Sequence, residues 1–357
     1  MSLLFSPLSL REIDFSNRAW VSSMCQYSAT EGVVGDWHLV HLGAFATGGA
    51  GLIMAEASAV TPEGRISIHC PGLWNGEHVE AWSRVTRFVH GQGTKIGIQL
   101  AHAGRKGSTM APWEDHLIAT HEEGGWTTDA PSAIAFEGYP VPRQLSSAQI
   151  SELVESFAGA ARRASAAGFD VVEIHAAHGY LLHQFLSPLS NQRTDVYGGT
   201  FENRIRFLCE VVEAVRETIS PAMPLFVRIS ATDYAQGGWD IDESVQLARV
   251  LKTMGVDLID VSSGGNIAGV TIPVAPGYQV PFAQRIRSEV NVPTSAVGLI
   301  TEALQAEDIL DSGKADATML ARAMLRNPRW ALHAAEELGD IIAWPPQFER
   351  ARTLHAS

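Results

Sequence analysis

Short apolar runs rich in β-branched residues alternate with longer mixed stretches along almost the whole chain. Eight of the runs read as buried strands of a parallel sheet, at residues 18–22, 51–56, 95–100, 171–174, 225–229, 258–262, 293–298 and 317–322. The stretches at 38–47, 78–90, 147–167, 201–220, 242–254, 282–290 and 301–312 read as helices. Among these, 147–167 is strongly amphipathic, with Ser147 as its expected N-cap and Gly168 just past its end. Strand and helix in steady alternation close most simply as an α/β fold, a single (β/α)8 TIM barrel forming one domain over residues 1–357. Ahead of it, residues 1–17 read as an N-terminal hairpin cap, with Leu3-Leu4-Phe5 as one arm, a Ser6-Pro7 turn, and Leu8 to Ile13 as the other. A long polar loop, 107–142, follows the third strand and carries Trp113 and Trp126. A loop of that length in a compact domain is usually a lid or a pocket wall.

Composition narrows the class. With 357 residues, 46% hydrophobic content and 32 glycines, the chain can bury a sizeable core and reads as a soluble globular enzyme. Its net charge of −13 argues against a nucleic-acid footprint and against an anionic membrane surface. Lysine occurs only at Lys95, Lys106, Lys252 and Lys314, none at the end of a candidate strand, which weakens a Schiff-base reading. The cysteines Cys25, Cys70 and Cys209 are too few and too widely spaced for a disulfide framework or a metal cluster. There is no charged leader followed by an apolar core and no run of membrane-spanning length, so a cytoplasmic protein is expected.

The chemistry gathers at strand ends, where parallel α/β proteins meet their ligands. The fourth run continues as His175-Ala176-Ala177-His178-Gly179-Tyr180, and imidazole and phenol there can donate hydrogen bonds to a carbonyl and deliver a proton. The same two histidines could share a zinc ion, so a metal-dependent TIM-barrel hydrolase using His175 and His178 stands as the alternative. Zinc needs at least a third protein ligand, and no cysteine or histidine cluster elsewhere in the sequence supplies one. The other strand ends offer Cys25 with Tyr27, Ala57, Gln99, Arg228, Ser262, Gly298 and Arg322. Arg228 is costly to bury and needs an anionic partner, from a ligand or from a carboxylate closing the barrel. Gly298 and Arg322, on the last two strands, favour a phosphorylated ligand. Gln99 could hydrogen-bond an amide-rich ring, and together these parts suit flavin mononucleotide.

At these residues the chain resembles the Old Yellow Enzyme family of FMN ene-reductases, in particular its bacterial branch with a cysteine beside the flavin. The resemblance is carried by Met24-Cys25-Gln26-Tyr27, by Glu56-Ala57-Ser58-Ala59-Val60, by residues 97–106 and 175–181, and by Ser190-Asn191-Gln192-Arg193-Thr194-Asp195 through Glu202-Asn203-Arg204. It implies bound FMN, NADPH or NADH as reductant, and small activated alkenes as substrates. By position it implies that Ser23, Met24, Cys25, Ala57 and Gln99 line the flavin ring, that Arg228 sits by its N1–C2 edge, and that Gly298, Ala321 and Arg322 meet the phosphate. His175 and His178 would bind the substrate's carbonyl or nitro oxygen, Tyr180 would protonate the α-carbon, and Cys25 and Tyr27 would touch the substrate. Arg350, in Phe348-Glu349-Arg350, would enter the neighbouring subunit's site in a homodimer or a dimer of dimers. No metal is implied. Ser23 stands where the family usually has proline, Ala321 where it usually has glycine, and the 107–142 loop is longer than in the most compact members.

Overall fold

In the computed structural model, which describes residues 1–352, the alternation becomes a closed parallel barrel. It is preceded by a hairpin of β1 (Leu8–Leu10) and β2 (Ile13–Phe15). The turn lies at Arg11 and Glu12 rather than at Ser6-Pro7, and Leu3 to Phe5 form neither arm. Pro7 has no N–H to give a ladder, whereas Arg11 takes the left-handed φ of 52° and is held by an ion pair to Asp257 at 2.7 Å. Leu4 and Phe5 instead enter the main core.

The barrel and its helices then follow in order. They are β3 (Ala19–Val21), α1 (Asp36–Ala46), β4 (Leu52–Ala59), α2 (Gly76–Gly91) and β5 (Lys95–Ala101). A small parallel pair, β6 (Asp129–Ala130) and β7 (Arg143–Gln144), precedes α3 (Ser147–Ala166), β8 (Val171–Ala176), α4 (Leu181–Leu186) and α5 (Phe201–Thr218). Next come β9 (Leu225–Ser230), α6 (Ile241–Thr253), β10 (Leu258–Ser262), α7 (Val280–Val290), β11 (Thr294–Ala296), α8 (Ala303–Asp311), β12 (Ala317–Leu320), α9 (Arg322–Arg326) and α10 (Trp330–Leu338). Eight of the strands close in the order β3-β4-β5-β8-β9-β10-β11-β12, with β12 pairing back on β3.

Two local details differ from the sequence reading. The N-cap of α3 is Ser146, one residue earlier than expected. Its hydroxyl accepts from the Gln149 N–H and the Gln149 side chain accepts from the Ser146 N–H, a reciprocal box that Ser147 could not make. The long polar loop at 107–142 carries local order of its own. Besides β6, which pairs with β7 just past the loop, it holds a one-turn 3-10 helix at His121–Glu123, and Thr109 pairs with both Ser67 and Ile118.

The two-residue period of the strands sorts the interior into layers. In β8, Val171, Glu173 and His175 face inward while Val172, Ile174 and Ala176 join the outer core against the helices. The inward sets of the next two strands run Phe226, Arg228, Ser230 and Leu258, Asp260, Ser262, all buried. Each strand therefore starts apolar, becomes ionic halfway up, and ends in a hydrogen-bonding side chain. The apolar layer is plugged by the hairpin. Trp20 is fully buried, stacked 5.9 Å from Phe226 and tilted 4.9 Å from Phe15, and its indole N–H donates to the Asn17 carbonyl at 2.9 Å. The bottom of the barrel is closed, and chemistry is confined to its C-terminal mouth.

Candidate active site

The ionic layer forms the floor of the mouth. Arg228 Nε lies 3.0 Å from Asp260 Oδ2, and Asp260 Oδ1 accepts from Ser295 Oγ at 2.8 Å. The anionic partner that Arg228 requires is thus a barrel carboxylate. Gln99 Nε2 donates to Glu173 Oε1 at 2.8 Å. Burial, and then the nearby Asp260 charge, push the Glu173 carboxyl up from 4.5 to about 8, against the opposing pull of Arg228. Arg228 thus faces Asp260 on one side and, in Glu173, a carboxyl that holds its proton near pH 7 on the other. Glu173 was hidden in the sequence, because a carboxyl inside an apolar strand carries no motif of its own.

Above the floor stand the two imidazoles. The rings of His175 and His178 are 5.1 Å apart, and Tyr180 is 5.2 Å from His175. Burial first, and Arg228 second, hold both imidazoles well below the usual histidine range. They are neutral near pH 7. Among the described residues His175 Nδ1, which is buried, has no hydrogen-bond partner, while His178 Nε2 lies 2.7 Å from Ser262 Oγ. The Tyr180 phenol is held well above its ordinary value, chiefly by burial, so it carries its proton throughout the working range.

The backbone here is shaped by close approach. His178 takes a left-handed φ of 59° and Gly179 one of 72°. A Cβ on Gly179 would come within 2.2 Å of the Gly265 carbonyl, so only glycine lets the β8–α4 turn nest against the loop after β10. Lys106 ties the two together, its Nζ donating to the His178 and Gly265 carbonyls at 2.8 and 2.7 Å. Burial, with Arg105 adding to it, lowers this lysine to about 8. The sequence signal for Lys106 was its scarcity as a residue type, but it sits on the loop after β5, where spacing alone says nothing.

The first loop of the barrel forms the opposite wall. At β4 a bulge between Ala55 and Ala57 turns Glu56 out of register, and its carboxylate accepts from the Gln26 N–H at 2.8 Å and lies 3.3 Å from His38 Nε2. That pins the segment carrying Ser23, Met24, Cys25 and Tyr27. Arg228 Nη1 donates to Ser23 Oγ at 2.8 Å. Ala57, Cys70 and Ala101 form a small apolar patch against which Cys25, Tyr27 and Tyr180 lean. A hydrogen bond with Cys70, and then burial, raise the Cys25 thiol well above the usual thiol range. A thiol so held is a poor nucleophile. Tyr27, in the left-handed region at φ 50°, meets Trp113 of the long loop edge-on at 5.8 Å.

At the ends of β11 and β12 a cleft of about 190 Å3 is lined by Gly298, Ala321, Arg322 and Arg326, with Ser262 and Gln279 on its inner side. Among the described residues neither Arg322 nor Arg326 has a carboxylate within ion-pair distance. A pair of arginines left unneutralised beside a narrow cleft fits a phosphate group. The orphaned His175 nitrogen and the arginine-bearing floor fit a polar ring lying across the mouth. The residues present therefore suit FMN. Ser23, Met24, Cys25, Tyr27, Ala57, Gln99, His175, His178, Tyr180, Arg228, Gly298, Ala321 and Arg322 all gather at this one end. Arg350 does not join them within the chain. It follows a tail whose residues 341–346 lie against Asn17, Ala50 and Thr94, at the strand-start end.

Among the described residues no helix is long and apolar enough to cross a membrane, and no group of three histidine, cysteine, aspartate or glutamate side chains could hold a metal ion. The hydrolase alternative thus lacks its third ligand. Comparison with known proteins agrees. The model of the NADH:flavin oxidoreductase / NADH oxidase family, whose cofactor is FMN, matches residues 3–340. An NADPH dehydrogenase from Geobacillus sp. (strain WCH70) is 49% identical over 352 residues, 98% of each chain. Morphinone reductase in complex with tetrahydroNAD superposes with a TM-score of 0.79 at 30% identity, over 96% of this chain and 93% of that one. An old yellow enzyme homologue from Zymomonas mobilis gives 0.77 at 29%, over 96% and 94%. The hydrolase reading finds no support in these matches, and the chain belongs to the NADH:flavin oxidoreductase / NADH oxidase family, as a flavin oxidoreductase of the Old Yellow Enzyme kind that takes its electrons from a nicotinamide nucleotide.

Proposed function

We propose that this enzyme is an ene-reductase acting on small activated alkenes such as enones, enals, nitroalkenes and maleimides. Bound FMN supplies the two-electron carrier between NAD(P)H and the β-carbon of the alkene. The observation that carries the reading is the pair of neutral imidazoles 5.1 Å apart with a protonated phenol beside them. As the alkene is reduced, negative charge moves onto its carbonyl or nitro oxygen. His175 and His178 are placed to donate to that oxygen, and donors fixed in a dry site stabilise such charge without reorganising. The contact of His178 Nε2 with Ser262 Oγ at 2.7 Å holds the ring in this orientation. Tyr180 then delivers its phenolic proton to the α-carbon. A phenol of raised pKa is a weak acid, but the carbanion it meets is strongly basic.

In the same reading Gln99 and Arg228, with Ser23 beside Arg228, hold the polar edge of the ring, and Met24, Cys25 and Ala57 line the rest of it. Gly298, Ala321, Arg322 and Arg326 hold the phosphate. Cys25 and Tyr27 face the substrate, and Trp113 braces Tyr27. The chain works as one domain, and its three free cysteines suit the cytoplasm. Trp37, Val40 and Leu325 leave an apolar groove exposed, which supports assembly as a homodimer or a dimer of dimers with Arg350 reaching the partner's site.

The test is a visible spectrum of the purified protein, followed by anaerobic NADPH and then 2-cyclohexenone. Flavin absorbance should bleach with NADPH and return with the enone. Bleaching that no activated alkene reverses would refute the roles of His175, His178 and Tyr180.

A further inference from the structure

The Ser23–Arg228 contact joins the first loop of the barrel to its ionic floor. Arg228 is held on two sides. Its Nε pairs with Asp260, and its Nη1 donates to Ser23 Oγ at 2.8 Å. The Asp260 side is fully buried and is itself fixed by Ser295. The Ser23 side is fixed through the chain, because the preceding Ser22 N–H donates to the Leu320 carbonyl at 2.9 Å and the Gln26 N–H to Glu56. Among the described residues Nε makes no hydrogen bond, so the Asp260 ion pair alone does not fix the plane of the guanidinium. Tied at Nη1 as well, its plane is set and its remaining N–H groups point one way.

The serine contributes a second effect. Its oxygen accepts from a cation, which polarises its own O–H. That proton has no acceptor among the described residues. It cannot point back at the guanidinium, which leaves it free to donate to a group lying beside Arg228. An alanine here would remove both the tether and the donor.

We propose that Ser23 is a positioning residue for Arg228, and that its hydroxyl adds a second donor toward the negative charge that arises on the FMN ring when it is reduced. Ser23 thereby helps set how much more tightly the protein holds reduced than oxidised FMN. This rests on the reading that Arg228 faces the N1–C2 edge of the ring.

The experiment compares holoenzyme S23A, S23T and R228K with the wild type. The midpoint potential of the bound flavin is read by spectroelectrochemistry, and the affinity for oxidised FMN by fluorescence quenching on the apoprotein. A hydrogen bond to a charged group is lost in S23A. The preference for reduced FMN should fall about tenfold, which for a two-electron couple is a midpoint about 30 mV more negative. Affinity for oxidised FMN should change far less than that. S23T, which keeps the hydroxyl, should return to the wild-type midpoint. R228K keeps the charge and the Asp260 pair but loses the fork, and its midpoint should also drop. A shifted R228K with an unshifted S23A overturns the role of Ser23 and leaves Arg228 in place. An unshifted R228K overturns the placement of Arg228 and the inference with it. An S23A shift that S23T fails to reverse assigns the effect to loop packing and also overturns it.

Discussion

Glu173 sits fully buried in the barrel floor, and replacing it with glutamine isolates its protonation from everything else. The protonated carboxyl accepts from Gln99 on one oxygen and faces Asp260 with the other. A carboxamide has the same shape and offers an N–H in place of the O–H. Stability should therefore change little where the wild-type carboxyl is neutral in both folded and unfolded chains. In the folded protein the group titrates at about 8 rather than 4.5. Between those values the folded state holds a proton that the unfolded chain has released. Stability due to this group is complete below 4.5 and is lost as pH rises to about 8. Every tenfold difference in proton affinity between the folded and unfolded chains is about 1.4 kcal/mol, so the loss across the window is on the order of 5 kcal/mol. Urea unfolding of wild type and E173Q, measured from pH 4 to 9, gives the difference directly, with other titrating groups cancelling. E173Q should match the wild type at the acid end and overtake it progressively toward pH 8. A difference that stays flat with pH, or that moves in the wild type's favour, would refute the assignment of Glu173 as a neutral group.

Other outcomes follow from the same geometry. Y180F removes a hydroxyl with no hydrogen-bond partner among the described residues, so stopped-flow kinetics should show unchanged reduction by NADPH and reoxidation by an enone slowed about 10²–10⁴-fold; equal slowing of both steps would tell against it. R322Q/R326Q should raise the dissociation constant for FMN by roughly tenfold or more, from the loss of charge-assisted hydrogen bonds in the cleft; fluorescence titration reads this, and an unchanged constant would place the phosphate elsewhere. W20A should cost about 3–5 kcal/mol of unfolding free energy, as a large ring is removed from the plugged end of the barrel; the urea midpoint measures it, and a loss below about 1 kcal/mol would mean that the hairpin refills the space. Light scattering should give at least a dimer, and a monomer would remove the reason for placing Arg350 in a neighbouring site.

The order of strands was legible because each apolar run is short and each intervening stretch is long. Val171-Val172 and Phe226-Val227 could hardly be anything but buried sheet. Boundaries were blurred where a side chain decides them. Ser146 and Ser147 look alike as caps until Gln149 is seen to answer only the first. The hairpin slipped because Ser6-Pro7 is a stronger turn signal than Arg11-Glu12, and the ion pair that favours the latter comes from Asp257, far along the chain. In the site, residues with unusual polarity at a strand end, such as His175, Arg228 and Arg322, declared themselves. Glu173, Glu56 and Lys106 did not, since their importance lies in what stands opposite them in space. Short helix α4 was likewise missed, because all six of its residues are buried and it presents no polar face to give a period.

Closure of β12 on β3 has a consequence for how the protein is made. Thr318 Oγ1 donates to the Arg18 carbonyl across 300 residues, and the Leu3 and Leu4 N–H groups donate to Glu307. At about 5–20 residues per second, the first strand leaves the ribosome on the order of 15–60 s before its partner exists. During that interval the nascent sheet has two unpaired edges, and Trp20 has its hairpin beneath it but no finished barrel around it. The native ring therefore cannot form until β12 has been made. A truncation that removes β12 should leave β3 waiting indefinitely and turn a folding enzyme into an aggregating one.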